Sequence, residues 1–471
     1  MYIPELLHLV CSFALAHDLV ALSQVCRQVF HVVAPLIWEH VDGLNNLLSL
    51  LPHAVIQHSR CSERFRLSRL VELPGSDDIS LERFHIYASH VKFLEIYSEN
   101  VQEFDPSGWT ALSARSSIQP LLPNLESLTV QKYFTEPQGE DELEWMKIFI
   151  GPSLRSFWYR LERNDLHAMR MPKAAVMVLL DPLVERCVSL ERLAIYPKAG
   201  SWTCFDLPAV FASRSFSYLQ ELSGSVALVA SEVFPIIAAL PRLVRFSVYA
   251  YDQFMPNLPD SLPLDAFRTL KHFTLATNNP HDALDFARFQ ALLSKVESLE
   301  FCCDFYAYGV GIWDGKELVL EILASWLANA SGLKDLRVEF DPEDNGYDSI
   351  DLTDSLALER ILQHRIECLY LNGVHFEPYD VFVTSQGDWS FLKQLQMPGY
   401  QSSFSTIPAF AYAPNLEHLA VSLSFTDTHL RSVTFKPNLS LRVIQCTGLS
   451  GGPFQHDEMD EIAWQVFGVL R

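Results

Sequence analysis

The chain has 471 residues, of which 49% are hydrophobic, so it is longer than one ordinary domain and can fill a large core. Its formal charge at pH 7 is −22, from 35 basic and 57 acidic residues. That balance argues against nucleic acid or an anionic membrane as the main partner, because both bind basic surfaces.

Three short amphipathic helices are predicted within residues 1–41. Pro4 suits the first turn of a helix, Asp18 suits the N-cap of the second, and Pro35 is expected to distort or end the third. The apolar residues at helical spacing are Leu6, Leu9, Val10 and Phe13, then Leu19, Leu22, Val25 and Cys26, then Phe30, Val33 and Ala34. So small a unit has too much apolar surface to bury alone, which favours docking to a partner. The alternative is an N-terminal capping bundle that packs only on its own chain.

The N-terminal segment also resembles a known motif. The strings that carry the resemblance are Ile3-Pro4-Glu5-Leu6-Leu7, Asp18-Leu19, Leu22-Ser23, Val25-Cys26-Arg27-Gln28-Val29-Phe30 and Leu36-Ile37-Trp38-Glu39-His40-Val41. In order and spacing they resemble an F-box, in the style of F-box-like proteins abundant in mushroom-forming fungi. The motif begins almost at Met1, and from this we expect a frayed or incomplete first helix.

The resemblance implies binding to the Skp-type adaptor of a cullin–RING ubiquitin ligase. The adaptor-contacting roles that it assigns fall on Pro4, Leu6, Leu7, Leu19, Leu22, Val25, Cys26, Arg27 and Trp38.

After about residue 60 a second pattern recurs: apolar, polar, any, apolar, any, apolar. The copies start at Val91, Leu125, Leu154, Leu190, Leu219, Leu243, Leu270, Val296, Leu333, Ile366, Leu392 and Leu416, with a degenerate copy at Leu441. Successive starts from 125 to 296 differ by 24 to 36 residues, which is the spacing of leucine-rich repeats. Helices are predicted between copies at 174–187, 282–296, 316–330 and 356–364. The alternative is an unrelated α/β domain with coincidental Leu-x-x-Leu strings.

These patterns predict an α/β chain: a leucine-rich-repeat solenoid preceded by a small all-α F-box-like module. The strands would be parallel on a concave face, with helices and loops outside. The predicted segments are a helical module (1–45), a linker with an N-terminal capping repeat (46–90), the solenoid (91–455) and a C-terminal capping helix (456–471). The copies resemble the irregular repeats found behind F-boxes.

Nothing in the sequence predicts a catalytic, metal or cofactor site. The segment 341–346 resembles a calcium loop, but its twelfth position is Leu352 instead of a glutamate. Gly309 and Gly311 lack the spacing of a dinucleotide-binding loop, and Cys302-Cys303 lack the partner pair of a zinc site. The nine scattered cysteines favour buried thiols over a disulfide framework. We expect a non-enzymatic chain.

We expect the chain to lie inside the cell, in the cytoplasm, the nucleus or both. The apolar start lacks the basic leader of a signal peptide, and no stretch approaches the roughly 18 apolar residues of a membrane span. The expected function is substrate recognition in a Skp–cullin–F-box ubiquitin ligase, with an unknown target on the repeats. The alternative is a repeat scaffold whose N-terminal helices are only a structural cap.

Strand alternation predicts which repeat residues face away from the core. The rule exposes aromatic and arginine side chains of the kind that anchor interfaces, with Glu95 and Glu339 among their neighbours. The predicted target-binding residues are Tyr97, Trp158, Arg160, Arg192, Tyr196, Arg245, Tyr249, Arg337 and Tyr370. Chance exposure or packing between repeats is the alternative, and an error of one residue in register would reverse the face.

Overall fold

The computed structural model describes residues 4–51, 55–60, 66–72, 81–96, 102–105, 112–113, 116, 119–131, 144–160, 171, 173–197, 207–251, 255–263, 265–303, 312–340, 350–384, 389–403, 406–424 and 440–450. The chain divides into two compact units. Unit 1 comprises Met1–Leu243 and Asp252–Leu258, and unit 2 comprises Val244–Tyr251 and Pro259–Arg471. The predicted capping helix (456–471), the acidic segment (341–346) and the glycine segment (309–311) lie outside the described residues.

Unit 1 begins with three helices and continues into a parallel sheet. Its elements in chain order are α1 (Pro4–Cys11), α2 (Ala16–Ser23), α3 (Arg27–Trp38), β1 (His40–Asp42), α4 (Asn45–Leu48), β2 (Val55–Arg60), β3 (Arg66–Glu72), α5 (Glu82–Ala88), β4 (Phe93–Glu95), β5 (Gln102–Asp105), β6 (Ser127–Gln131), β7 (Ser156–Arg160), α6 (Lys173–Arg186), β8 (Arg192–Ile195), α7 (Leu207–Phe211), β9 (Glu221–Ser225) and α8 (Phe234–Ala238). Strands β1, β4, β6, β7, β8 and β9 pair in that order, each parallel to the next. A smaller sheet pairs β2 antiparallel with β3, and β3 parallel with β5.

Unit 2 is also built around a parallel sheet. Its elements are β10 (Arg245–Ala250), β11 (His272–Thr277), α9 (Pro280–Ala287), α10 (Gln290–Leu293), β12 (Ser298–Cys303), α11 (Ile312–Asn329), β13 (Asp335–Phe340), β14 (Ile350–Asp351), α12 (Leu356–Gln363), β15 (Cys368–Asn372), β16 (Val374–His375), β17 (Gln394–Ser403), α13 (Ile407–Phe410), β18 (His418–Ser424) and β19 (Val443–Ser450). Strands β10, β11, β12, β13, β15, β17, β18 and β19 form a parallel sheet in that order, and β14 pairs with β16.

The predicted α/β class and the parallel strands are confirmed, and the long parallel sheets are compatible with a solenoid. Each copy of the repeat pattern starts two residues before a strand: Leu125 precedes β6, Val296 precedes β12 and Leu441 precedes β19. The first apolar residue of each copy therefore closes the preceding turn, and the next two apolar positions point into the core. No helix in the described part of the chain is both long enough and apolar enough to cross a membrane.

Three helix predictions need correction. The first helix, expected to be frayed, is regular from Pro4 to Cys11. Pro35 does not end α3, which continues to Trp38, because a proline in the last turn removes only one backbone hydrogen bond. The helix predicted over 282–296 is two helices, because Phe289 leaves the helical conformation (φ −84°, ψ 70°) and buries its ring.

The core of unit 2 shows how the strands and helices pack. Along β12, Leu299, Phe301 and Cys303 are buried, whereas the alternating residues are half-buried on the opposite, outward face. The fully buried indole of Trp326 in α11 lies 5.4 Å from the ring of Phe301, measured between centroids. Its Nε1–H donates to the Ala283 carbonyl at 2.9 Å, so the buried polar group is satisfied.

A ladder of alternating charges follows the second residue of most copies; the copies at Leu219 and Leu243 have Gln220 and Val244 there and interrupt it. In unit 2 the backbone N–H of each such residue donates to the carbonyl of its counterpart one repeat earlier, as Glu297 does to Lys271 at 2.8 Å. The side chains alternate in sign, and Glu297 accepts from Lys271 at 3.0 Å and from Lys334 at 2.9 Å. We call this set the charge ladder: Glu39, Lys92, Glu126, Arg155 and Glu191 in unit 1, and Lys271, Glu297, Lys334, Glu367, Lys393, Glu417 and Arg442 in unit 2.

The same contacts change the acidity of the ladder. Hydrogen bonds from Lys334 and Lys271 lower the pKa of Glu297, and the bond to Glu297 raises the pKa of Lys334. Single exposed ion pairs contribute little to stability, but here one carboxylate serves two lysines, so the pairs form a network.

Charge reversal within the ladder tests its contribution. Lys334→Glu places three acidic side chains in a row, at Glu297, position 334 and Glu367. We expect the midpoint of thermal unfolding to fall by a few degrees at low salt. In 1 M salt the loss should shrink, because the Debye length falls to about 3 Å.

Lys295→Glu is the matched control, since it makes the same charge change at an exposed lysine that is outside the ladder. Equal destabilisation by the two variants at low salt would contradict a specific role of the ladder.

Asp282 is expected to make stability fall as pH rises. Burial and, next, the neighbouring Asp285 raise its pKa from an ordinary value of 3.8 to about 7. The folded state therefore binds this proton more tightly than the unfolded chain. The stabilisation that results is complete below pH 4 and is lost as the pH rises towards 7. Asp282→Asn should remove this dependence, measured as thermal midpoints from pH 5 to pH 8.

Exposed Asp260→Asn is the control for the loss of one charge. If the thermal midpoints of Asp282→Asn and the unmutated protein differ by the same amount across that pH range, Asp282 does not titrate as expected.

Candidate functional site

The N-terminal module, α1 to α3, has a small core of its own. Cys11, Leu19 and Val33 are buried, and the partly buried side chains around them are Leu7, Ala14, Leu22, Val29, Leu36 and Ile37. Three residues predicted to contact the adaptor, Leu7, Leu19 and Leu22, therefore contribute to this core. A charged substitution at Leu19 would disrupt the module itself, so it cannot serve as a test of surface binding.

Seven large apolar side chains of the same module remain exposed. Phe13 is 83% exposed in the turn after α1, and Val25 is 68% exposed in the turn before α3. We call the set the N-terminal apolar patch: Leu6, Leu9, Val10, Phe13, Leu15, Val20 and Val25. Exposed apolar groups at this density are typical of interaction surfaces.

The patch contains only part of the predicted adaptor-binding set. Leu6 and Val25 belong to it, and Cys26 and Arg27 lie exposed at the start of α3, where Arg27 Nε donates to His31 Nε2 at 3.4 Å. Pro4 is the first residue of α1, and its side chain is outside the described residues. The exposed side chains of Leu9, Val10, Phe13, Leu15 and Val20 are not in the predicted set, although the helical spacing of the first three was visible in the sequence.

Trp38 has a different environment from the rest of that set. Its ring is half-buried against Tyr87 of α5, with 4.9 Å between the centroids, and Phe30 approaches the same tyrosine at 6.1 Å. The next residue, Glu39, pairs with Lys92 at 3.0 Å, and β1 then joins the sheet beside β4. The module is thus attached directly to the first strands of unit 1, and β1 lies inside the segment (1–45) that was predicted to be all helical.

The outward face of unit 1 carries two of the predicted target-binding side chains. Trp158 on β7 is half-buried, and Arg192 on β8 is exposed. Arg160 is the last residue of β7, with its side chain outside the described residues, and Tyr97 lies outside them altogether.

The prediction that Tyr196 faces outward is wrong. Its side chain is 6% exposed, and its hydroxyl forms a 2.9 Å hydrogen bond with Ser223 Oγ. Ala194 and its register partner Ser223, which alternation places on the same face, are buried as well, so the burial of Tyr196 comes from packing over this part of the sheet.

The outward face of unit 2 holds a connected polar cluster. Arg337 on β13 pairs through Nε with Glu300 at 3.2 Å and through Nη2 with Glu339 at 3.0 Å. Its guanidinium also lies 4.1 Å from the ring centroid of Tyr370 on β15. These side chains are therefore already engaged within the protein. The other predicted residues of this face, Arg245 and Tyr249 on β10, are exposed and half-buried respectively.

The same cluster contains a set of possible metal ligands that the sequence did not predict. Glu300, Cys302 and Glu339 place one ligand atom each within 4.8 Å of one another, and Cys302 Sγ lies 3.8 Å from Glu300 Oε1. Arg337, however, binds both carboxylates and already supplies the positive charge that a metal ion would bring. The arrangement is that of an internal ion-pair cluster.

Two other thiols are poor nucleophiles. Burial raises the pKa of Cys187 to about 12, and burial with the nearby Asp335 raises that of Cys368 to about 11. Both are protonated at neutral pH, and the thiolate is the reactive form of cysteine.

The chain was also compared with known proteins. No protein-family model matches it, and no curated protein matches it.

Proposed function

We propose that this chain is the substrate-recognition subunit of a Skp–cullin–F-box ubiquitin ligase. The observation that carries the proposal is the N-terminal apolar patch. The module has its own core, yet large side chains of α1, α2 and the turns beside them remain in solvent. A partner that covers them gains the free energy of apolar burial, about 25 cal/mol per Å² of surface removed from water. The resemblance of residues 3–41 to an F-box supports a Skp-type adaptor as that partner.

The direct attachment of the module fits this function. Trp38, Phe30 and Tyr87 pack α3 against α5, and β1 is continuous with the sheet of unit 1. An adaptor bound on α1 and α2 would therefore be held at a fixed distance from a protein bound on that sheet. The chain would supply proximity, which turns a bimolecular encounter into a tethered one, and other subunits would transfer ubiquitin.

The second candidate function is a repeat scaffold whose N-terminal helices are only a cap. The packing of Trp38 on Tyr87 favours it, since terminal repeats of a solenoid need their apolar end covered. A cap explains the buried side of α3 but not the exposed leucines, valines and phenylalanine of the patch.

The decisive prediction concerns Phe13 and Val25. The double variant Phe13→Glu/Val25→Glu should weaken binding of a purified Skp-type adaptor by at least about thirtyfold, because the loss of even one apolar anchor residue costs about 2 kcal/mol. Isothermal titration calorimetry on the full chain measures the affinity. Both side chains are exposed, so the fold should survive, which far-UV circular dichroism checks.

Val188→Glu provides the matched control. Val188 is 67% exposed, almost the same as Val25 at 68%, but lies between α6 and β8, away from the module. If the unmutated chain does not bind the adaptor, the ligase function is rejected in favour of the scaffold. Equal affinity of the double variant and the control would reject the patch as the binding surface.

A further inference from the structure

The outward face of unit 1 places an aromatic and a basic side chain side by side. The register pairs Ser156 with Arg192 and Trp158 with Ala194, so Trp158 and Arg192 are diagonal neighbours on adjacent strands. With strands about 4.8 Å apart and two residues of rise, their Cβ atoms are about 8 Å apart. One short segment of a partner can contact both.

Both side chains are free to make contacts with a partner. Within the described part of the chain, neither forms a side-chain hydrogen bond, an ion pair or a ring contact. The guanidinium of Arg192 keeps all five N–H donors, and the indole keeps its Nε1–H. Arg337 of unit 2 differs, because two glutamates and Tyr370 already hold it.

The ring of Trp158 is half-buried, so part of it remains open to a partner. Thr129 on β6 and Ala194 on β8 flank it in register; Thr129 is half-buried and Ala194 is buried. Ser156, two residues earlier on the same face of β7, is also buried. An apolar side chain from outside can therefore contact only the exposed part of the indole.

The charge of Arg192 determines the chemistry of the second contact. Glu221 on β9 is its register neighbour, but no ion pair joins them. An arginine that has no ion-pair partner is complementary to a carboxylate, which can accept two parallel hydrogen bonds from it.

We propose that Trp158 and Arg192 form a recognition site for an exposed protein segment that carries an apolar side chain beside an aspartate or glutamate. This inference rests on the proposed function in so far as such a segment would belong to the target of the ligase.

A library of random twelve-residue peptides displayed on phage tests the site directly. Selection on the purified full chain should enrich peptides with an acidic residue next to an aromatic or aliphatic one. The selected peptides should bind Arg192→Glu and Trp158→Ala at least about tenfold more weakly, measured by fluorescence polarisation. Replacing the acidic peptide residue by lysine should restore part of the binding to Arg192→Glu.

The control is Arg214→Glu, the same change at an exposed arginine between α7 and β9 that is on no strand and in neither predicted binding set, which should leave the affinity unchanged. Arg192 is exposed, so its variant keeps the test valid even if Trp158→Ala is destabilised. The inference is overturned if no peptide is enriched, or if the selected peptides bind Arg192→Glu as tightly as the unmutated chain. The affinity for the adaptor is measured on the same proteins. If the adaptor does not bind, the ligase function is refuted, but the peptide result still decides whether the site exists. If the adaptor binds and the peptide test fails, the site is refuted and the ligase function is not.

Discussion

The register of the parallel backbone hydrogen bonds is the constraint on which the rest of this structure depends. In each unit, the residue that begins a turn into a strand donates its N–H to the carbonyl of its counterpart one repeat earlier, as Lys334 does to Glu297 at 2.8 Å. This single alignment sets which side chains enter the core, which meet on the outward face and which charges become neighbours. A shift of one residue would move every apolar side chain of a strand to the solvent side.

The proposed division of labour within unit 1 follows from that alignment. β1 is the first strand of its sheet, and the aromatic contact of Trp38 with Tyr87 holds α3 against α5. The apolar side chains of α1 and α2 and the pair Trp158–Arg192 thus belong to one compact unit. An adaptor and a target, if bound at these two surfaces, would be held by packed secondary structure and not by a flexible linker.

Much of the fold could be predicted because its strands are specified locally. Three apolar residues at fixed spacing mark each copy, and in every case a strand begins two residues after the first. The limits appear where local pattern gives way to tertiary context. Tyr196 was misassigned because alternation does not show which part of a sheet face is covered, and β1 was missed because its residues follow directly on a helical motif.

The candidate sites were less predictable than the strands. Alternation correctly placed Arg337, Glu339 and Tyr370 on the outward face, but it did not show that Arg337 is bound by glutamates from two strands, since Glu300 lies 37 residues away. Likewise, exposure of Leu6 and burial of Leu19 depend on how three helices pack, which periodicity alone does not determine. The charge ladder could have been found by aligning the copies and comparing their second residues.

The charge ladder also has a consequence for how such a chain changes during evolution. Neighbouring repeats carry opposite signs at this position, as in Lys334, Glu367 and Lys393. Duplication or loss of a single repeat would bring two like charges together, whereas duplication or loss of two adjacent repeats preserves the alternation. Within each run of the ladder, the smallest unit that recombination can add or remove without an electrostatic cost is therefore a pair of repeats.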